Sequence, residues 1–204
     1  MTFSTDGYAT FYCSYGDFEL PDDVSAYVVT GVENGKLAYD CIAEGFNGGV
    51  IPQGVAVMLK RDGKDAATCE LKYRQGQIEY EGENLLMGTD VDTVTYSRGS
   101  CYYYKLCYGP SDTDSSGVVG WFWNDDKGGS FRIDGHKAWL PIPISNQTKA
   151  SGYSINDDLI FYNDRFENDY VAPDVIYNMH GEKVTEPLLK GLYIINGKKV
   201  LIQK

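Results

Sequence analysis

Alternation of apolar and polar residues, broken by turn-forming pairs, most constrains what this chain can fold into. In "AYVVTGVENGKLAYDCIA", the pair Asn34-Gly35 lies between two runs rich in β-formers. Asn-Gly favours a two-residue type I′ turn, which fixes the register of the flanking strands. The predicted cross-strand pairs are Glu33 with Lys36, Val32 with Leu37, and Val28 with Cys41.

The same turn pattern recurs twice. "CELKYRQGQIEYE" has Gln75-Gly76 at its centre, a weaker turn signal than Asn-Gly, and "GLYIINGKKVLIQK" ends the sequence around Asn196-Gly197. Both segments are expected to form hairpins. The first predicts Tyr73 opposite Ile78 and Lys72 opposite Glu79. The second predicts Ile195 opposite Lys198, Ile194 opposite Lys199 and Tyr193 opposite Val200.

No segment shows a sustained helical period, and short strands are separated by Gly, Pro, Asn and Asp clusters. This pattern predicts an all-β protein built as an antiparallel β-sandwich, immunoglobulin-like or jelly-roll-like. The charged stretch "FYNDRFENDYVAPD" breaks the rhythm near the end. We therefore expect a sandwich domain over residues 1–162, a linker over 163–174 and a short terminal β segment over 175–204.

Charge and hydropathy exclude some classes of partner. The 204 residues include 29 acidic and 18 basic side chains, a formal charge of -11, and no basic stripe that could neutralise a phosphate backbone. We expect no nucleic-acid partner. No apolar run is long enough for a transmembrane segment, and the first residues lack the pattern of a signal peptide. The sequence is expected to be either cytosolic or a fragment of a longer protein.

Motifs for catalysis, metals or cofactors are weak. His136 and His180 both lie beside glycine in turn-like contexts, and no G-x-S-x-G or H-E-x-x-H motif accompanies them. Asp112 and Asp114 alternate as in a calcium loop, but the final bidentate acid is missing, which favours a solvated loop. We predict no catalytic residue, metal or cofactor. None of the five cysteines is spaced as C-x-x-C: Cys13, Cys41, Cys69, Cys101 and Cys107.

Aromatic side chains are the most suggestive feature for binding. Trp121, Trp123 and Trp139 could fill the sandwich core or stack on a sugar ring or a partner side chain, and the core is favoured. In "CYYYKLCYG", alternation places Tyr103 on the opposite face from Tyr102 and Tyr104, and one of these faces should point outward. We expect Tyr103 to be exposed. The candidate binding residues are Tyr103, Trp121, Trp123 and Trp139.

Several of these segments together resemble a known family. "GYATFYCSYGDFELPDDVSAYVVTGVENGKLAYDCIAEGFNGGVIPQGVAVMLK", "YYKLCYG", "VGWFWNDDKGGSF" and "HKAWLPIP" are similar to an accessory β domain near the C-terminus of secreted and surface proteins of Bacteroidales bacteria. Those proteins include peptidases and leucine-rich-repeat proteins. The resemblance implies a module attached to varied partners and located outside the cell or on the outer-membrane surface.

The tail "VIYNMHGEKVTEPLLKGLYIINGKKVLIQK" resembles the C-terminal sorting signal of the type IX (Por) secretion pathway. The resemblance implies that the secretion machinery is a partner. The matching positions are Tyr177, Asn178, Gly181, Val184, Gly191, Leu192, Tyr193, Ile194, Lys198, Lys199 and Val200.

Two functions remain open at this point. The first is a non-catalytic export-associated surface module, with a glycan or a host or surface protein as a candidate partner. The second is a small secreted hydrolase with an active site near His136 and Asp134. The first predicts that no titratable groups converge in a cleft, whereas the second requires that they do.

Overall fold

A computed structural model gives the fold of most of the chain. In the part of the chain that the structure describes, strands make up 53% of the residues and no α-helix is present. No helix there is long and apolar enough to cross a bilayer. The predicted all-β, antiparallel sandwich is confirmed. The chain divides into two compact units, Met1–Asn163 and Asp164–Lys204. The structure describes residues 1–33, 35–63, 67–76, 78–95, 100–109, 117–124, 128–144, 152–155, 176–178, 191–195 and 198–202.

Short strands build the first unit. They are β1 (Tyr8–Phe11), β2 (Asp17–Glu19), β3 (Val24–Glu33), β4 (Lys36–Glu44), β5 (Val50–Ile51), β6 (Val57–Arg61), β7 (Lys72–Arg74), β8 (Met87–Thr89), β9 (Thr93–Val94), β10 (Cys101–Gly109), β11 (Val118–Phe122), β12 (Arg132–Ile133), β13 (Lys137–Pro143) and β14 (Gly152–Ser154). A 3-10 turn, Gly45–Asn47, follows β4.

Two sheets face each other across the main core. One has the strand order β1-β6-β3-β4 and the other β14-β11-β10-β13-β8. Alternate side chains of both sheets point into the space between them, as expected for a sandwich. The residues that fill it include Tyr27, Val29 and Met58 from the first sheet and Tyr104, Trp121 and Leu140 from the second, all at least nine-tenths buried.

The outer faces of both sheets are also covered. A three-stranded sheet, β5-β2-β7, belongs to a second apolar cluster, in which Leu20 and Ile51 join Val28 and Val57 of the four-stranded sheet. A two-stranded ribbon, β9-β12, supplies Ile133 to a third cluster over the five-stranded sheet. Central strands such as β3 and β10 are therefore buried on both faces over part of their length.

The hairpin of β3 and β4 follows the predicted register near its turn and again at its far end, where Ala26 pairs with Ala43, but not between them. Glu33 pairs with Lys36 and Val32 with Leu37, as expected, and Gly35 has a φ of 76°, as a type I′ turn requires. Farther along, the predicted pair Val28–Cys41 is wrong, because the register shifts between Val29 and Gly31. A bulge there places one extra residue in β3. Val28 consequently pairs with Asp40, and Tyr27 pairs with Cys41.

The hairpin predicted around Gln75-Gly76 is wrong. Tyr73 on β7 pairs with Phe18 on β2, and the described residues 78–83 form no strand. The backbone N–H of Ile78 donates to the Asp17 carboxylate at 3.2 Å instead of bonding to β7. A long-range strand pair therefore replaces the hairpin that the weak Gln-Gly turn signal suggested.

The second unit contains a three-stranded antiparallel sheet of β15 (Ile176–Asn178), β16 (Gly191–Ile195) and β17 (Lys198–Ile202), in that order. The predicted terminal register is confirmed in full: Ile195 pairs with Lys198, Ile194 with Lys199 and Tyr193 with Val200. β15 adds a third strand, because Tyr177 pairs with Ile194 and Asn178 with Tyr193. The predicted linker, residues 163–174, lies outside the described residues.

Candidate functional site

Three side chains of different chemistry meet where three strands begin or end. Cys13 lies just after β1, Asp90 directly follows β8, and His136 directly precedes β13. The thiol sulfur, one carboxylate oxygen and one ring nitrogen all lie within 4.8 Å of one another. We refer to these three residues as the Cys13–Asp90–His136 cluster. As possible metal ligands, it brings together a soft thiol sulfur, a hard carboxylate oxygen and an imidazole nitrogen.

Hydrogen bonds between the loops hold the cluster in place. The backbone N–H of Ser14 donates to Asp90 Oδ1 at 3.0 Å, and the Ser14 hydroxyl donates to Asp90 Oδ2 at 2.5 Å. On the other side, the His136 N–H donates to the carbonyl of Thr89 at 2.7 Å. The carboxylate therefore has a bond to each oxygen, which fixes its orientation beside Cys13.

The imidazole of His136 is oriented by an unusual backbone conformation. His136 has a φ of 56°, and this left-handed region is uncommon for residues other than glycine, although histidine is among those that tolerate it. The Nδ1 atom lies 3.5 Å from Asp90 Oδ1 and 3.2 Å from the carbonyl oxygen of Tyr12. This conformation fixes the direction in which the side chain leaves the backbone, and residues in sparsely populated regions cluster at functional sites.

Exposure increases across the cluster. Cys13 is only 6% exposed, the Asp90 side chain is 14% exposed, and the His136 side chain is 52% exposed. The imidazole therefore meets solvent, while the sulfur lies beneath it. Nearby, burial together with the negative charge of Asp90 raises the pKa of the Tyr12 hydroxyl. The cluster is thus buried at its sulfur and open to solvent at its imidazole.

The residues near His136 differ from those that the sequence suggested for a hydrolase. The carboxylate beside the imidazole belongs to Asp90, whereas Asp134 lines a separate cleft. Sequence reasoning missed Cys13 and Asp90, because neither belongs to a recognised short motif. The only local signal is that each lies next to the end of a strand, where side chains from distant segments can meet.

The separate cleft has a volume of about 210 Å³ and lies between β1, β10 and the start of β13. Lys105 and Lys137 both line it, and Asp134 is the acidic side chain among its lining residues. Burial lowers the pKa of Lys137, an effect that Asp134 opposes and Lys105 reinforces. At its rim the Tyr108 hydroxyl donates to the Asp6 carboxylate and contacts the hydroxyl of Thr5. The cleft is small for an organic ligand.

The aromatic residues predicted for binding are mostly in the core. Trp121 is fully buried and Trp139 is 6% exposed. Trp123 is half-buried, with its ring centroid 5.6 Å from that of Tyr102. The expectation that Tyr103 is exposed is wrong, because the ring is 3% exposed and packs with Phe131, Ile133 and Trp139. The β9-β12 ribbon and Phe131, the residue before β12, cover the face of β10 that the alternation in the sequence predicted to be exposed.

The residues of the predicted sorting signal lie mainly on the terminal sheet. Tyr177 and Asn178 are on β15, and Gly191 to Ile194 are on β16. Lys198, Lys199 and Val200 are on β17. Gly181 and Val184 lie outside the described residues, as do Asp112, Asp114 and His180.

Comparisons with protein-family models, with curated proteins and with solved structures give no match for this chain.

Proposed function

We propose that this chain is a non-catalytic module of a secreted or cell-surface bacterial protein, in which the terminal β sheet acts as the sorting signal for type IX secretion. The observation that carries the proposal is the terminal sheet itself. It belongs to a compact unit, Asp164–Lys204, distinct from the unit that contains the sandwich. A segment read by export machinery benefits from such independence, because it can be recognised without opening a folded core.

The paired register of β16 and β17 supports the same proposal. Lys198 and Lys199 follow the turn and pair with Ile195 and Ile194, so the basic pair has a fixed position on the hairpin. An isolated hairpin is marginal in water, and β15 extends it to three strands. The motif that resembles a sorting signal is therefore presented on a regular sheet.

Glycan stacking by Tyr103, Trp121 and Trp139 is not part of this proposal, because these rings are at least nine-tenths buried. A buried ring offers no face to a sugar.

Export can be tested in a Bacteroidales host that has the type IX machinery. The chain is fused behind a signal peptide, either whole or truncated after Asp174, and surface delivery is measured by protease shaving and by antibody labelling of intact cells. We expect the whole chain at the surface and the truncated chain in the periplasm. The substitution of Lys198 and Lys199 by Glu should reduce delivery, whereas the control Lys36→Glu, also next to a hairpin turn, should not. Surface delivery of the truncated chain at the normal level would refute the proposal.

One observation favours a second candidate function, a small secreted hydrolase. A thiol, an imidazole and a carboxylate converge in the Cys13–Asp90–His136 cluster, and these are the groups of a cysteine nucleophile and its base. The burial of Cys13 weighs against it, since a nucleophile must reach its substrate. Turnover of activated ester or peptide substrates that disappears in Cys13→Ala would support this function, and the absence of turnover across a broad panel would exclude it for those substrates.

A further inference from the structure

We propose that Cys13, Asp90 and His136 bind a single transition-metal dication of the zinc class. The proposal goes beyond the export function and does not depend on it. Its basis is the convergence of three different metal-ligating groups, from three separate loops, within 4.8 Å of one another.

The donor set fits this class of metal. Thiolate, imidazole and carboxylate are the three ligand types that zinc takes in proteins, at roughly 2.3, 2.0 and 2.1 Å respectively. Tetrahedral geometry with those bond lengths separates the ligand atoms by roughly 3.3–3.6 Å. Nδ1 of His136 and Oδ1 of Asp90 are already 3.5 Å apart. Small side-chain rotations bring the remaining ligand atoms from their present limit of 4.8 Å into range.

A dication also matches the charge of the site. Binding displaces the proton of the Cys13 thiol to the solvent, which leaves a thiolate and a carboxylate to cancel the two positive charges. Magnesium and calcium prefer oxygen ligands only, so the sulfur of Cys13 disfavours them. With three protein ligands, one tetrahedral position remains for water or another ligand.

Outer contacts hold the ligands as they do in established metal sites. Ser14 donates from its backbone and its hydroxyl to the two oxygens of Asp90, and such bonds orient a ligating carboxylate. The backbone carbonyl of Cys13 accepts from Gly54 at 2.8 Å, which anchors the first loop. The loop of His136 is tied to Thr89, the neighbour of Asp90. The fold therefore holds the three loops together before a metal arrives, and only side-chain rotations are left to complete the site.

The test uses the full chain, purified under reducing conditions, treated with EDTA and dialysed free of it. Cobalt(II) is titrated in while the near-ultraviolet spectrum is recorded, and zinc is then added as a competitor. We expect one equivalent of cobalt to give a thiolate-to-cobalt charge-transfer band that zinc abolishes. The melting temperature should rise with zinc concentration, since the folded state alone holds all three ligands together.

Variants assign the site. Cys13→Ser should remove the charge-transfer band, and Asp90→Asn and His136→Asn should each weaken cobalt binding by about tenfold or more. Asn is chosen at position 136 because it tolerates the left-handed backbone. Ser14→Ala should weaken binding less, since it removes only one bond to Asp90. The matched controls Cys107→Ser and Asp134→Asn change a cysteine and an acid of the other cleft and should bind cobalt as the parent chain does.

Three outcomes would overturn the proposal: no charge-transfer band, a band that persists in Cys13→Ser, or a band that Cys107→Ser removes. Near-ultraviolet circular dichroism checks the fold of each variant. If Cys13→Ser does not fold, His136→Asn decides, because its half-exposed ring contributes little to the core. Unchanged cobalt affinity in folded His136→Asn would refute the site.

Discussion

Tyr103 provides a direct test of how the sandwich is layered. Tyr103 is on β10, and its ring points toward the ribbon of β9 and β12. The ring is 3% exposed and packs against Phe131, Ile133 and Trp139. Truncation to alanine removes the ring and leaves a cavity that the surrounding strands can fill only in part. Aromatic-to-alanine changes in such positions cost about 3–5 kcal/mol of unfolding free energy. We expect Tyr103→Ala to fall in that range.

Urea unfolding, followed by tryptophan fluorescence, measures this loss of unfolding free energy. An unchanged m-value would show that the surface exposed on unfolding is the same in the variant. For a unit of this size, each kcal/mol of lost unfolding free energy lowers the melting temperature by roughly 2–4 °C, so Tyr103→Ala should lower it by roughly 6–20 °C. Tyr103→Phe keeps the ring and removes only the buried hydroxyl, so it should cost about 1–3 kcal/mol, less than Tyr103→Ala. Tyr15→Ala, at a side chain that is 69% exposed, should change stability by less than about 0.5 kcal/mol.

A loss below about 1 kcal/mol in Tyr103→Ala, similar to that in Tyr15→Ala, would refute the reasoning, because it would mean that the ribbon does not cover the outer face of β10. Tyr103 would then return as a candidate for an exposed binding residue.

Two further predictions concern buried polar groups. Asp17 is fully buried and accepts from the backbone N–H groups of Gln53 and Ile78, so Asp17→Ala should cost about 2–6 kcal/mol by urea unfolding; a loss below about 1 kcal/mol would contradict this. Burial raises the pKa of Cys41 from 9.0 to about 11 and that of Tyr153 from 10.0 to about 12. The stability that these two protonated groups contribute should therefore be fully present below pH 9 and fall as the pH rises toward about 12, because the unfolded chain loses these protons first. Urea unfolding at several pH values measures this fall, and Cys41→Ser should reduce, without abolishing, the part that begins near pH 9, since burial also raises the pKa of Cys69 and Cys107.

The hairpin registers show where local sequence suffices. At the terminal hairpin, a two-residue turn between short strands fixes the register, and pairing continues without interruption to Gly191 and Ile202. In β3 the same turn fixes only the nearest pairs, because a bulge at Thr30 shifts the pairs from Val29 to Tyr27 by one residue until a second irregularity, between Ala26 and Tyr27, restores the register. A bulge depends on what packs against each face of the strand, which the turn residues do not encode.

The orientation of Tyr103 could not be predicted from the alternation in β10. Alternation shows that Tyr102 and Tyr104 share one face and Tyr103 lies on the other, and this is correct. The inference that one face meets solvent assumed two layers. A ribbon from distant segments adds a third, so both faces are apolar, and Cys101 beside Tyr103 is consistent with burial on that side.

The Cys13–Asp90–His136 cluster was hidden for a related reason. Short motifs reveal a metal or catalytic site only when its ligands share one turn or helix, as in C-x-x-C or H-E-x-x-H. Here each ligand comes from a different loop: pairing of β8 with β13 brings Asp90 beside His136, and the bonds from Ser14 to Asp90 join the Cys13 loop, which comes from the other sheet. The left-handed His136 follows Gly135 in a turn that looks like an ordinary strand connection in sequence. A site assembled in this way requires the register of β8 against β13, in which Thr89 pairs with Lys137 and so places Asp90 beside His136. That register, more than any residue near it in sequence, determines which carboxylate the imidazole meets.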